Sequence, residues 1–192
     1  DVSAVLDQLE NLNQKSDFPL SGKLDLSRVG MSGHSFGALT TQAVSGEKIP
    51  LSKSLTERRI KAAMPLSPGS RKMISPDESF GEVSIPWLLM TGTHDLALIG
   101  GQTIDSRLAV FPALPKGNHY EVVLHKAEHS VFNDKASSRD KLPRNPNHHR
   151  VILGLSTAFW DAYLRNEAEA RSWLNGDSPR NVMEKQDRWQ KK

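Results

Sequence analysis

The sequence predicts an α/β domain, a mostly parallel sheet of about four strands flanked by helices. Three observations carry this expectation. Short apolar runs alternate with helical patterns along the 192 residues. A turn of small residues, Gly33-His34-Ser35-Phe36-Gly37, joins one such run directly to a helical stretch. Two further polar residues, Asp95 and His129, each follow another run, at the strand C-termini where open α/β sheets place their ligands.

Val2, Val5, Leu6, Leu9 and Leu12 recur at helical spacing, with Asp1 or Ser3 near the N-terminus, so the chain opens on an amphipathic helix that ends before Phe18-Pro19. A turn through Ser21-Gly22 leads to a first strand at Arg28 to Met31, and a helix follows from Ala38 to about Val44. Arg59 to Leu66 forms the second strand, with Pro65 marking its end. The third strand runs from Ile85 to Met90, ahead of Asp95, and contains Trp87, read as core in preference to a substrate platform. A helix covers Thr103 to Leu114 and the fourth strand covers Tyr120 to Leu124. A long helix from about Asn147 to Arg165 turns Ile152, Leu155, Phe159, Ala162 and Tyr163 inward. Residues 177–192 are a polar C-terminal tail, and the charge-rich stretch from Glu184 to Lys192 is expected to be solvated. No repeat or low-complexity segment divides the chain, so residues 1–192 are one domain.

Composition narrows the function classes. With 25 Lys and Arg against 22 Asp and Glu the net charge is only +3, and no basic stripe interleaved with aromatics marks a nucleic-acid partner. No apolar run reaches the roughly 18 to 20 residues of a membrane span, and no signal-peptide pattern precedes the first helix. The absence of cysteine removes disulfides, thiol catalysis and Cys-based metal sites. No metal or organic cofactor is implied.

Ser35 is the candidate nucleophile. At a strand-turn-helix elbow a strained backbone lifts the hydroxyl above the sheet edge, and flanking glycines let strand and helix approach. The following N–H, on Phe36, is aimed at a developing oxyanion. A serine hydroxyl needs a base to take its proton, and His129, in a loop just past a strand, is the best placed of the seven histidines. Asp95 would orient the imidazole and stabilise its charged form. Asp105 lies well into the next helix, Asp134 follows the histidine, and Glu128 points away if its loop is extended. His34 at the variable position of the elbow, Ser67 within Ser67-Pro68-Gly69 past the second strand, and Phe132 three residues beyond His129 are candidate substrate-binding residues. Ser67 to Ser84 is too short for a large helical cap, so the cleft is expected to be open.

Four stretches, Val29 to Ala38, Thr91 to Asp95, Ala127 to Phe132 and Ser156 to Leu164, resemble the α/β-hydrolase superfamily. Within it they look like the bacterial esterases named as predicted dienelactone hydrolases and platelet-activating-factor-acetylhydrolase-like proteins, and around the elbow they are similar to polyester-cleaving cutinases. The likeness extends from Asp1 to about Trp189. Dienelactone hydrolases proper use a cysteine nucleophile, so a serine in a chain without cysteine favours the serine-esterase side. The resemblance implies cleavage of small-molecule, lipid or polymeric esters through an acyl-enzyme, or acyl transfer or perhydrolysis by the same residues. It leaves the location open and favours a secreted or periplasmic one over others. Such folds have about eight strands with the nucleophile after the fifth, so these strands correspond to the C-terminal half, without the loop that supplies a second oxyanion N–H. An inert half-domain is therefore the rival reading. The outer edge of the first strand is expected to need an N-terminal fragment or self-association to cover it.

Overall fold

The apolar runs assemble side by side. The computed structural model describes residues 1–96 and 100–192, and its sheet has five strands in the order β1-β2-β3-β4-β5. They are β1 (Val29–His34), β2 (Ile60–Leu66), β3 (Trp87–His94), β4 (His119–Glu128) and β5 (Arg188–Lys191). The first four are parallel and β5 is antiparallel to β4. The intervening helices are α1 (Val2–Asn13), α2 (Phe36–Val44), α3 (Pro76–Phe80), α4 (Ile104–Leu108), α5 (Val110–Ala113), α6 (Pro146–Tyr163) and α7 (Ala168–Asn175). This is the expected α/β class, with one strand more than anticipated. Among the described residues, no helix is long and apolar enough to cross a membrane.

Because successive strand residues point to opposite faces, β3 feeds two cores at once. Leu88 and Met90 join Tyr120, Val122 and Leu124 of β4 against Val151, Leu155, Phe159 and Ala162 of α6. Trp87 and Leu89 face the other way, onto Phe80, Val110, Phe111 and Leu114. On α6, Val151 is buried, whereas Ile152 and Tyr163 are only partly so and pack on the core's margin.

Three departures from the sequence expectations have identifiable physical causes. The helix expected over Thr103 to Leu114 is two short ones meeting at Ala109. Pro112 has no N–H to give to Leu108 and its ring crowds that carbonyl, so a continuous helix is not available. Strand β4 runs on to Glu128 past a polar stretch, because its register with β3 shifts between Gly92 and His94: Gly92 pairs with Leu124, but His94 pairs with Glu128. Lys126 occupies the left-handed region there (φ 57), and its N–H donates to Thr93 Oγ1.

The third departure corrects the reading of the C-terminal tail as solvated. Arg188 to Lys191 pairs with Tyr120 to Val123, and the Trp189 ring stacks on Tyr120 at 5.6 Å. Buried Asp187 accepts from the His125 and Glu184 N–H groups at 2.7 and 2.8 Å. Arg188 and Gln190, which look like surface residues, both donate to the buried Glu121 carboxylate.

At the opposite edge, the outer side of β1 has no strand partner among the described residues. Gly30 and Ser32 are exposed, whereas their β2 partners Ala62 and Met64 are buried. Unpaired strand edges template association. The 192-residue chain alone is therefore expected to run larger than a monomer in size-exclusion chromatography with light scattering. A single monomeric peak over a wide concentration range would refute this.

Candidate active site

The site forms where β1, β3 and β4 end. Ser35 sits between β1 and α2 with φ 59 and ψ −113, a conformation that costs on the order of 1–3 kcal/mol for a non-glycine residue. Its N–H donates to Leu66 O and its carbonyl accepts from the Ala38 N–H, both at 3.0 Å, so the turn is pinned to the end of β2 and to the first turn of α2. Gly33 is required here. A Cβ at this position would lie 2.3 Å from the Gly37 carbonyl oxygen. Gly33→Ala is therefore expected to cost at least about 1–3 kcal/mol of stability. Urea unfolding checks this, and an unchanged midpoint would refute it. Phe36 is the first residue of α2, where backbone N–H groups have no acceptor inside the helix, and its side chain is exposed.

His129 lies in a 3-10 turn, His129–Phe132, directly after β4. Glu128 turns its carboxylate to the Lys141 and Leu142 N–H groups, Ser130 bonds Asp140, and Arg144 donates to the Ser130, Asn133 and Asp134 carbonyls. His149 donates to Val131 O at 3.0 Å. These bonds leave the His129 ring free to face the elbow. Its Nε2 is 2.9 Å from Ser35 Oγ, and its Nδ1 is 2.6 Å from Asp95 Oδ1.

Asp95, just beyond β3, is fully buried, and Thr91 Oγ1 donates to its Oδ2 at 2.8 Å. The register shift that extends β4 acts here. Gly92 leaves no room for a side chain, since a Cβ would meet Ala127 O at 2.2 Å, and this close approach brings the ends of the two strands together. Burial by itself would raise the proton affinity of the Asp95 carboxyl. The hydrogen bond from His129 and the charge of Arg107 outweigh it and hold the group below the usual carboxylate range.

The structure thus joins Ser35, His129 and Asp95 in one hydrogen-bonded chain. The competing acids are engaged or placed elsewhere: Glu128 on the 141–142 amides, and Asp105 exposed on α4. His34 packs beside the chain, its ring 4.6 Å from His129 and 5.3 Å from Phe132. Burial first, and then the proximity of His129, hold His34 below the usual imidazole range. At the far end of β4, burial followed by the Lys192 charge pushes His119 down to about 4.

Ser67 departs from its expected place along the cleft. It is buried, with φ 61, its N–H on Met90 O and its carbonyl on Arg107, so it supports the site from beneath. Arg107 itself was not singled out from the sequence, though a signal was present. It occupies a core-facing register, three residues after Ile104 and three before buried Val110, where a charge is unexpected. Among the described residues, no group of three or more His, Asp or Glu is arranged to hold a metal.

Residues 1–144 match the family described as PETase: PET hydrolase-like, a span that includes every residue of this site. No curated protein matches the sequence.

Proposed function

From the chain's membership of the PET hydrolase-like family, an α/β-hydrolase family of ester hydrolases, we propose that it is a serine hydrolase working through Ser35, His129 and Asp95. The observation that supports this most directly is the unbroken chain from Ser35 Oγ through His129 to Asp95 at 2.9 and 2.6 Å. Ser35 Oγ attacks the ester carbonyl while His129 Nε2 takes its proton. The Phe36 N–H stabilises the oxyanion, and the protonated imidazole returns its proton to the departing alcohol. Water, activated by the same imidazole, then releases the acid. Asp95 accepts from Nδ1–H, which fixes the tautomer with Nε2 free as the base.

The family's name supports carboxylic esters of a polymeric or aromatic kind as substrates, and the motif-level likeness to platelet-activating-factor-acetylhydrolase-like esterases supports smaller acyl groups. His34 and Phe132, whose rings lie 5.3 Å apart with His34 packed against His129, are the residues we assign to contact either kind of substrate. A fluorophosphonate probe followed by peptide mapping tests the mechanism, with covalent modification expected at Ser35. A screen of p-nitrophenyl esters of increasing chain length, together with a soluble terephthalate diester, then sorts the substrates. A chain that takes no label, or takes it elsewhere, would overturn the assignment.

A further inference from the structure

Among the described residues, Arg107 is the one buried cation at the site, and its guanidinium makes three hydrogen bonds to backbone carbonyls and an ion pair with Asp95. Its side chain is 2% exposed and that of Asp95 is 0%. Nε donates to Asp95 O at 2.7 Å, and Nη1 donates to Ser67 O at 2.6 Å and to Pro68 O at 2.9 Å. Nη2 lies 3.2 Å from Asp95 Oδ1 and 3.5 Å from His129 Nδ1. The fork therefore ties the loop after β3 to the turn after β2, whose preceding residue, Leu66, anchors the Ser35 N–H.

His129 Nδ1–H already donates to Asp95 Oδ1, and the Nη2 end of the guanidinium lies in ion-pair range of the same oxygen, so both N–H groups face one carboxylate oxygen and are not partners of each other. The other oxygen is occupied by Thr91. Resting on the serine-hydrolase reading, we propose that Arg107 is a positioning residue whose fixed charge balances Asp95. It keeps His129 available as a base at lower pH than a lone carboxylate would allow. A second proton on the imidazole would place a cation beside the guanidinium, in a region with little water to screen the two.

The other charged groups around the imidazole do not supply this effect. His34, from β1, is held below the usual imidazole range by burial first and then by the proximity of His129. Glu128 is spent on the Lys141 and Leu142 N–H groups, Asp140 on Ser130 and the Ser137 N–H, and Arg144 on backbone carbonyls. A purely structural role for Arg107 would lower the rate on its loss without moving the pH profile, and that difference makes the proposal testable.

The experiment follows the rate of fluorophosphonate labelling and the kcat/KM for p-nitrophenyl acetate against pH, in wild type, Arg107→Met and Arg107→Lys. Arg107→Met is expected to move the acid-side midpoint upward by about one pH unit or more. Arg107→Lys keeps the charge but loses the fork, so its midpoint stays at the wild-type position while its plateau falls. An unmoved midpoint in Arg107→Met, or an equal shift in Arg107→Lys, overturns the proposal. If Arg107→Met does not fold, Arg107→Gln, which keeps N–H donors for the backbone carbonyls and loses the charge, takes its place. It must have a higher midpoint than wild type, and a midpoint equal to wild type overturns the proposal. A wild-type chain that takes no label refutes the serine-hydrolase reading and this one with it, whereas a labelled wild type with an unmoved variant refutes this one alone.

Discussion

Ser35→Ala is expected to lower esterase turnover by about 10⁴-fold or more and to abolish fluorophosphonate labelling, because removing a nucleophile takes away the whole covalent route. The fold should be nearly unaffected. Ser35 holds its place with its backbone, through Leu66 O and the Ala38 N–H, and its side chain does not cap α2. Alanine and serine also bear a similar cost at φ 59, so the elbow itself gives no reason for the variant to unfold. Urea midpoints within error of wild type, combined with lost turnover, are the expected pair of results. Turnover above a few per cent of wild type would place the nucleophile elsewhere.

Asp95→Asn has the second largest expected effect, a fall on the order of 10⁴-fold in rate, by analogy with other triads in which the amide presents the wrong tautomer to the imidazole. Unlike the serine variant, it should also be less stable. The amide leaves the buried Arg107 guanidinium without its counter-ion, and breaking a buried pair from one side costs about 3–5 kcal/mol. The pH dependence of that loss has a definite sign. Asp95 is held below its ordinary range in the folded protein, so its contribution is complete above the unfolded carboxylate value of about 3.9. The contribution fades as pH falls through the depressed folded value. The stability gap between wild type and Asp95→Asn should therefore be constant at neutral pH and close only below about pH 4. A rate loss under tenfold would return Asp105, Asp134 and Glu128 to contention.

Much of the sheet was legible because its central strands are apolar on both sides. Trp87, Leu88, Leu89 and Met90 all lie in the core, two on each face, and such a run needs no knowledge of its neighbours to be recognised. The edge strand β5 was hidden by the same logic. Its Arg188 and Gln190 answer a buried carboxylate on Glu121, 67 and 69 positions earlier, so its polarity is complementary to a distant residue and carries no local pattern. The second half of β4 was hidden by the register shift opposite Gly92, which admits His125 and Lys126 to a strand without burying them fully.

The sequence by itself determined what is local: the strand-turn-helix elbow at Ser35, the alternation of elements, and the delivery of Ser35, Asp95 and His129 to strand C-termini. Turn chemistry and periodicity act over a few residues and are written in them directly. Tertiary structure decided which groups meet. Asp95 reaches the imidazole across 34 positions, and Ser35 reaches it across 94. Both contacts depend on the shifted β3-β4 register and on the bonds that hold the His129 turn. Ser67 faces inward and Arg107 lies under the acid for the same reason. A hydrogen bond tolerates only a few tenths of an ångström, and that tolerance is met by strand register and loop closure, quantities that no short stretch of chain contains.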